Sequence, residues 1–245
     1  MAVMTEIEAI HSRHSVRAYL DKAIEPDKIT ALNELISECN EKGNLHLQLL
    51  TDAGKTFDRL LNKAMGLWTS GGRPFRADRS SGGGLGSAPS VIACIGRDDG
   101  TLEERIGYYG EKIVLLAQKL GLNTCWAGTF NAKNVRAEIR PGERLVIVIA
   151  IGYGKDSGRP HKSKTFDQVA SGPAVQPDWF RKGVELALLA PTAINQQRYE
   201  IRLNEDGTVT FTDRRGPFSK VDLGIVKYHF EVGSGLRQGE PGSAL

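Results

Sequence analysis

Two short segments of this 245-residue sequence combine residue types that can bind an anionic or polar ligand. In the first segment, Arg13 and Arg17 flank His14 and the hydroxyl of Ser15. Guanidinium groups donate charge-assisted and often bidentate hydrogen bonds to phosphate, so this pentapeptide can form a phosphate site. A solvated basic turn is the alternative interpretation, because such clusters are common on protein surfaces. The pentapeptide alone leaves both interpretations open.

The second segment is APTAINQQ at residues 190–197. Pro191 disfavours helical geometry at the preceding residue and therefore ends the apolar helix that comes before it. Thr192, Asn195 and Gln196 are then presented on a turn, where hydroxyl and amide groups can bond a polar ring edge or sugar hydroxyls. The alternative is an ordinary helix stop with polar residues facing solvent.

The composition narrows the class of protein. The hydrophobic content of 40% and the charged content of 25% are ordinary for a soluble globular protein. The net charge of +3 is too small to indicate nucleic-acid binding. Cys39, Cys94 and Cys125 stand in apolar surroundings and are expected to be reduced core thiols. The five histidines have no metal-ligand spacing, so we expect no metal site. No apolar run is long enough to cross a bilayer and the start lacks signal-peptide features, so a cytoplasmic protein is expected.

Hydrophobic periodicity predicts the elements that position these segments. A short first helix is predicted to end near residue 10. The other predicted helices cover 26–43, 55–67, 102–120, 133–139, 179–189 and 222–232. The predicted strands cover 45–49, 91–95, 124–127 and 145–151, with a hairpin of 199–203 and 208–212. Residues 71–87 are expected to form a long loop and the end of the chain a disordered tail. The almost wholly apolar run at 145–151 indicates burial on both faces, as in the central strand of an α+β or α/β sandwich.

Three elements together resemble the FMN-dependent nitroreductase superfamily. They are RxSxR at 13–17, AP(S/T)xxNxQ at 190–197, and LGLNTCWAGTF after the long helix. The resemblance implies an α+β fold, a nitroreductase-like sandwich with a central, mostly antiparallel sheet flanked by helices. It also implies FMN as the cofactor and NADH or NADPH as the co-substrate.

The resemblance assigns roles to particular residues. The Arg/Ser cluster would hold the phosphate and ribityl side of FMN, the turn would pack against the flavin, and the segment after the long helix would offer backbone N–H groups near flavin N5. Two lysines of the basic loop that follows GYG would make the last phosphate contacts. The predicted cofactor-binding residues are Arg13, His14, Ser15, Arg17, Gly128, Thr129, Lys162, Lys164, Pro191, Thr192, Ala193, Asn195 and Gln196. No side chain is expected to be catalytic, since flavin N5 is the reactive centre.

One departure from the family pattern predicts an unusual organisation. The AP(S/T)xxN turn normally follows the first amphipathic helix, which corresponds to residues 38–43 here, but in this chain it occurs about 150 residues later. We interpret the chain as two fused, diverged halves with an internal pseudo-twofold. Residues 1–172 would carry the phosphate site, residues 173–235 would supply the flavin-packing turn, and 236–245 would form the tail. The expected state is a monomer that mimics the family homodimer, with further dimerisation open.

The predicted function is an FMN-dependent NAD(P)H oxidoreductase that passes hydride through flavin N5 to a small-molecule acceptor such as a nitroaromatic or a quinone. Two alternatives stay open. One is a flavin-binding sensor or storage protein without turnover. The other is a flavin enzyme of the same fold with different chemistry. The loops that select the acceptor contain no motif that identifies it, so the sequence leaves this alternative open.

Overall fold

The computed structural model describes residues 4–53, 56 and 88–236. The chain forms two compact units, each built from separated segments. The helical unit comprises Met1–Ser12, Asp99–Lys119 and Pro160–Leu245, and the sheet unit comprises Arg13–Asp98 and Leu120–Arg159. The sequence-based division at residue 172 and the internal duplication both stay predictions. The predicted helix at 55–67, the loop at 71–87 and the tail after residue 236 lie outside the described residues.

The sheet unit contains a four-stranded antiparallel sheet with the strand order β1-β2-β4-β3. The strands are β1 (Gln48–Leu50), β2 (Ser90–Arg97), β3 (Asn123–Ala127) and β4 (Glu143–Gly152), and helix α2 (Pro26–Gly43) belongs to the same unit. Strand β4 pairs with both β2 and β3, and its residues Val148–Ile151 are fully buried. The apolar run at 145–151 is therefore a central strand, as the sequence predicts.

Helix α2 begins and ends at residues suited to those positions. Pro26 occupies the first turn, where its missing N–H costs nothing. Leu32, Ile36 and Cys39 recur at helical spacing and are buried. Asn44 ends the helix in the left-handed conformation, which asparagine tolerates better than most residues.

The helical unit contains α1 (Glu6–Ser12), α3 (Leu102–Lys119), α4 (Phe166–Val169), α5 (Asp178–Ala187) and α6 (Ser219–Ser234). Helices α3 and α6 pack closely because glycines lie at their crossing. A Cβ built on Gly107 would meet the Val221 carbonyl oxygen at 2.0 Å, and one on Gly224 would meet the Glu104 carbonyl oxygen at 2.0 Å. The same interface buries Glu111 and His229 completely, 3.0 Å apart between Oε1 and Nε2.

A small sheet completes the helical unit, with β5 (Ala170–Ser171) parallel to β6 (Tyr199–Leu203) and β6 antiparallel to β7 (Val209–Asp213). The β6–β7 hairpin confirms the prediction at 199–212. Its turn is closed by Asn204 N–H donating to the Thr208 carbonyl at 2.8 Å, and Gly207 adopts a φ of 84° that favours glycine.

The α+β class and the antiparallel central sheet are confirmed, and so are the predicted helices at 26–43, 102–120, 179–189 and 222–232, within a few residues at their ends. The predicted helix at 133–139 is wrong, because only a 3-10 turn, Ala132–Asn134, forms there. The backbone N–H and carbonyl of Glu138 instead bond the side-chain amide of Gln48, at 2.9 and 2.7 Å, so they are not available to a helix. Within the described part of the chain, no helix is both long and apolar enough to span a membrane.

Candidate functional site

Residues 13–20 form an extended segment that is attached to the edge of the four-stranded sheet. Ser15 makes a parallel bridge with Thr124 of β3, and Tyr19 makes an antiparallel bridge with Gly154. Val16 N–H donates to the Thr124 carbonyl oxygen at 3.0 Å. Side chains alternate between the two sides of an extended chain, so Arg13, Ser15 and Arg17 share one side. The pentapeptide is thus not a basic turn, and its cations and its hydroxyl are collected on one face.

This side of the segment lies near Cys125, which follows Thr124 in β3, because Ser15 is bridged to Thr124. Burial raises the pKa of the Cys125 thiol, while the charges of Arg17 and Arg13 and a hydrogen bond with Ser15 act in the opposite direction. Arg13 Nη2 lies 3.4 Å from Ser15 Oγ. The face is therefore electropositive, with the serine hydroxyl among the guanidinium groups.

Arg13 is the notable member of this set, because only 6% of it is exposed. Its Nε atom is buried and has no hydrogen-bond partner among the described residues. An unpaired buried donor on a cation costs free energy that a bound anion would recover. Arg17, by contrast, is exposed.

The loop that follows β4 also bonds the backbone of this segment. Lys155 N–H donates to the Ala18 carbonyl at 2.9 Å, and Leu20 N–H donates to the Tyr153 carbonyl at 2.8 Å. Gly158 has a φ of 72°, and a Cβ there would lie 2.8 Å from His14 Cβ. His14 therefore packs against this loop. Sequence reasoning missed Gly158, although the GYG turn nearby signals a loop with special backbone geometry.

Gly128 and Thr129 follow directly after β3 in the same unit. Gly128 is exposed and Thr129 is half-buried. Along a strand the four steps from Thr124 to Gly128 span about 13 Å. The segment that carries the predicted backbone donors thus starts at the far end of the strand whose beginning is bridged to Ser15.

In the helical unit, the turn at 190–197 has an unusual backbone. Ile194, Asn195 and Gln197 have positive φ values of 47°, 55° and 45°. A left-handed conformation is uncommon for non-glycine residues and is a clear outlier for a β-branched residue such as Ile194. Ile194 is nevertheless 68% exposed, so packing of its own side chain does not hold it in place. Such strain persists only where the surroundings determine the conformation, and it is most frequent at functional sites.

Two buried side chains hold this turn. The carboxylate of Asp222 accepts from Ala193 N–H at 2.9 Å and from Gln196 Nε2 at 2.7 Å. Gln197 donates through Nε2 to the Lys162 carbonyl at 2.9 Å and accepts from Lys164 N–H at 2.8 Å. Burial raises the pKa of Asp222 to about 6, although the hydrogen bonds from Gln196 and Ala193 act against this shift. No sequence pattern identifies Asp222, because it lies on a helix in another part of the chain.

Several predicted site residues act within this turn. Gln196 also donates to the Pro217 carbonyl at 2.8 Å, so both hydrogens of its amide are used inside the unit. Asn195 Nδ2 donates to the Lys162 carbonyl at 3.0 Å, and Lys164 Nζ donates to the Gln197 carbonyl at 2.6 Å. Thr192 Oγ1 accepts from Gln197 N–H at 3.1 Å. Pro191, Thr192 and Ala193 are half-buried, and Lys162 is exposed.

Comparison with known proteins identifies the family. Residues 6–70 and 78–234 match the model of a family described as "Putative TM nitroreductase". The chain belongs to this nitroreductase family. Membership places it in the general class of oxidoreductases and agrees with the resemblance carried by its motifs.

One solved structure of a similar protein matches this nitroreductase family member over nearly its whole length. A protein of Thermotoga maritima MSB8, described as a putative nitroreductase, is 22% identical, has a TM-score of 0.63, and is matched over 95% of this chain and 85% of its own. At this identity the likeness shows the fold. A nitroreductase family protein from Clostridium novyi NT is 18% identical, with a TM-score of 0.45, over 63% of this chain and 87% of its own. None of the curated proteins searched matches the chain.

The structure brings most of the predicted residues of this nitroreductase family member together in two groups, and Gly128 and Thr129 belong to neither. Arg13, Ser15 and Arg17 share one face in the sheet unit, with His14 on the other side of the same segment. In the helical unit, the turn residues and the loop carrying Lys162 and Lys164 are joined by hydrogen bonds. Cys125, Gly158, Gln197 and Asp222 are additional members of these groups that the sequence-based prediction did not include.

Proposed function

We propose that this protein is an FMN-dependent NAD(P)H oxidoreductase that reduces a small electrophilic acceptor such as a nitroaromatic or a quinone. The observation that carries the proposal is the buried guanidinium of Arg13, whose Nε lacks a partner among the described residues and which lies on one face with Ser15 and Arg17. This donor set fits the phosphate group of FMN. Family membership supports the oxidoreductase class, and the motif resemblance supports the flavin.

The proposed phosphate site works by matching charge. A phosphate monoester carries close to two negative charges and three strong acceptor oxygens. Arg13 and Arg17 supply two positive charges, and Ser15 adds a neutral donor that can rotate toward an oxygen. Arg13 is already desolvated, so its attraction to an anion is screened less than that of an exposed arginine.

The sheet positions these donors in advance. The bridge between Ser15 and Thr124, together with the Tyr19 bridge, fixes the backbone of the segment at two points. A fixed backbone reduces the ordering cost that ligand binding would otherwise carry. The loop with Gly158 contacts the same segment, since a Cβ on Gly158 would lie 2.8 Å from His14 Cβ.

FMN supplies the hydride-transfer chemistry when it is bound, and the protein supplies binding, orientation and electrostatics. Backbone N–H groups at Gly128 and Thr129 are proposed to orient the flavin. The contribution of the turn at 190–197 to flavin binding remains a prediction from the resemblance. What supports it is the strained backbone of Ile194, Asn195 and Gln197, which Asp222 and Gln197 hold in place.

Reconstitution followed by steady-state turnover tests the proposal. Purified protein is incubated with FMN, freed of excess cofactor by gel filtration, and assayed with NADH or NADPH and a quinone or nitroaromatic acceptor. The expected result is retained yellow colour and nicotinamide oxidation that depends on both FMN and the acceptor. Retained FMN without oxidation would identify a flavin-binding protein without turnover. A protein that retains no FMN would refute the cofactor assignment.

A further inference from the structure

A pair of titratable side chains lies in the core of the helical unit. Glu111 of α3 and His229 of α6 are both completely buried, and Glu111 Oε1 lies 3.0 Å from His229 Nε2. The other ring nitrogen, Nδ1, lies 3.1 Å from the carbonyl oxygen of Leu186, in the last turn of α5. The imidazole therefore connects α3 and α6 to the end of α5.

These two contacts fix the number of protons that the pair holds. A carbonyl oxygen only accepts, so Nδ1 of His229 carries a hydrogen and donates it to Leu186. An ionised carboxylate also only accepts, so the contact between Nε2 and Glu111 needs a second hydrogen. A neutral imidazole facing an ionised carboxylate would place two acceptors against each other in the core. The pair is thus complete only with one additional proton.

The surroundings of the ring favour placing this proton on His229. An ordinary glutamic acid loses its proton at about pH 4.3 and an ordinary histidine at about pH 6.5, so the imidazole is the stronger base. The carbonyl end of a helix carries a partial negative charge that stabilises a nearby cation, and Leu186 belongs to that end of α5. A buried imidazolium and a buried carboxylate that bond each other also avoid an isolated charge in the core.

Other titratable groups on the elements around this pair have interactions of their own. Lys227 pairs with Glu104 between α6 and α3, and Tyr108 of α3 donates to Glu231 of α6. From α1, Glu6 accepts from Tyr228, and Lys112 lies over the rings of Tyr108, Tyr109 and Tyr228. The charged residues of α5 are exposed, namely Asp178, Arg181, Lys182 and Glu185.

The end of α5 is held by side chains at three consecutive carbonyls. Leu186 accepts from His229, Ala187 accepts from the Tyr199 hydroxyl at 3.1 Å, and Leu188 accepts from the Ser163 hydroxyl at 2.8 Å. Asp222, which holds the turn at 190–197, lies seven residues before His229 on α6. Residues seven apart lie on one face of a helix. This face of α6 therefore holds both the end of α5 and the turn that follows it.

We propose that Glu111 and His229 form a proton-dependent latch, in which one proton held by the pair fastens the end of α5 to α3 and α6. Opening of this helix end exposes the pair to water, and above neutral pH the proton then passes to solvent. The latch is therefore at full strength where the opened chain also carries this proton, and it weakens as the pH rises. It is independent of the flavin assignment.

The first test compares the wild type with Glu111→Gln. A glutamine amide donates to Nε2 of a neutral histidine, so this variant keeps both hydrogen bonds of the ring without the additional proton. Urea denaturation at pH 7 and pH 8 gives the folding constant of each protein. The ratio of the wild-type constant to that of Glu111→Gln is expected to fall about tenfold over this pH unit, the linkage value for one proton. All other titratable groups, Asp222 included, are common to both proteins and cancel in the ratio.

Glu104→Gln is the matched control, because Glu104 pairs with Lys227 across the same two helices. Lysine ordinarily carries its proton throughout this pH range, so this pair shares no additional proton. The ratio of the wild-type constant to that of Glu104→Gln is expected to stay constant between pH 7 and pH 8. A constant ratio for Glu111→Gln as well would overturn the proposal.

Nitrogen NMR of the wild type decides the question even where Glu111→Gln does not fold. At pH 8 the His229 ring is expected to carry hydrogens on both nitrogens, and a single ring hydrogen would overturn the latch. Where the variant folds, hydrogen exchange measures the opening of α5 through the amides of Leu188 and Leu189, which donate to Val184 and Leu186. Their protection should fall from pH 7 to pH 8 more in the wild type than in Glu111→Gln. The same change in both proteins would contradict the link between the proton and this helix end.

Discussion

Ser15 is bridged in parallel to Thr124, the residue that precedes Cys125 in β3. This pairing converts a basic pentapeptide into an extended segment with a defined face. Because side chains alternate along it, Arg13, Ser15 and Arg17 point to the same side. The bridge is therefore the structural reason why these residues can act together on one anion.

Removing either guanidinium is expected to weaken FMN binding. Arg13→Ala and Arg17→Ala should each cost about 1.5–3 kcal/mol, the range for a lost hydrogen bond to a charged group. Fluorescence titration with FMN measures this loss. Arg136→Ala is the control, because Arg136 belongs to the same unit and its side chain is 79% exposed. Unchanged FMN affinity in both Arg13→Ala and Arg17→Ala would contradict the phosphate assignment, even for a working flavoenzyme.

Gly158 is expected to be required for the position of the phosphate segment. Gly158→Ala combines a left-handed backbone, which costs about 1–2 kcal/mol for an L-residue, with a clash against His14 Cβ. Gly142→Ala is a matched control, because Gly142 has a φ of 83° but open space around a Cβ. Gly158→Ala should therefore unfold at a lower urea concentration than Gly142→Ala. Overpacking should lower its free energy of unfolding by about 1–3 kcal/mol more than in Gly142→Ala. Equal destabilisation would show that the loop does not press on the segment.

The stability of the protein is expected to depend on the ionisation of Asp222. Its folded pKa of about 6 lies above the ordinary value of 3.8, so protonation of Asp222 favours the folded state. The resulting stabilisation is fully present below about pH 4 and is lost as the pH rises through about 6. It amounts to at most about 3 kcal/mol.

Comparison with Asp222→Asn isolates this contribution. The free energy of unfolding of the wild type, minus that of Asp222→Asn, should decrease between about pH 4 and pH 7. Urea denaturation at several pH values measures the difference. A difference that is constant with pH, or that increases, would contradict the assignment of the raised pKa to this buried carboxyl group.

Strain at Ile194 predicts an uncommon stabilising substitution. Ile194→Gly removes a β-branched residue from a φ of 47°, where the backbone penalty of about 1–2 kcal/mol exceeds the entropy cost of glycine, about 0.5–1 kcal/mol. The variant should unfold at a slightly higher urea concentration. Ile139→Gly is the control, since Ile139 is also an exposed isoleucine but is not among the positive-φ positions, and it should be destabilised. Destabilisation of Ile194→Gly as large as that of Ile139→Gly would indicate that the turn is unstrained.

Periodicity predicted the elements that depend on local pattern. The run at 145–151 and the helix at 102–120 bury their apolar residues as expected. The spacing of apolar residues along the chain predicts which faces of an element are buried. The prediction of a helix at 133–139 was wrong because the backbone of Glu138 bonds the side chain of Gln48, which lies about 90 residues away in the chain. A contact of that separation overrides local propensity.

The candidate site shows the same division. Residue types identified Arg13, Ser15 and Arg17. Local sequence pattern does not predict that Ser15 pairs with the distant Thr124, which places the three side chains on one face. Asp222 and Gly158 were missed because their roles depend on contacts with distant segments. The interpretation of the 190–197 turn as a helix stop also omitted the left-handed residues that Asp222 and Gln197 hold in place.

The most direct test of the central claim is an anaerobic half-reaction. Protein reconstituted with FMN is mixed with NADH or NADPH without oxygen, and the visible absorption of the oxidised flavin is followed. The account predicts that at least one nicotinamide nucleotide removes this absorption and that a quinone or nitroaromatic acceptor then restores it. Visible absorption that persists with both nucleotides would contradict the proposal that this chain is an FMN-dependent NAD(P)H oxidoreductase.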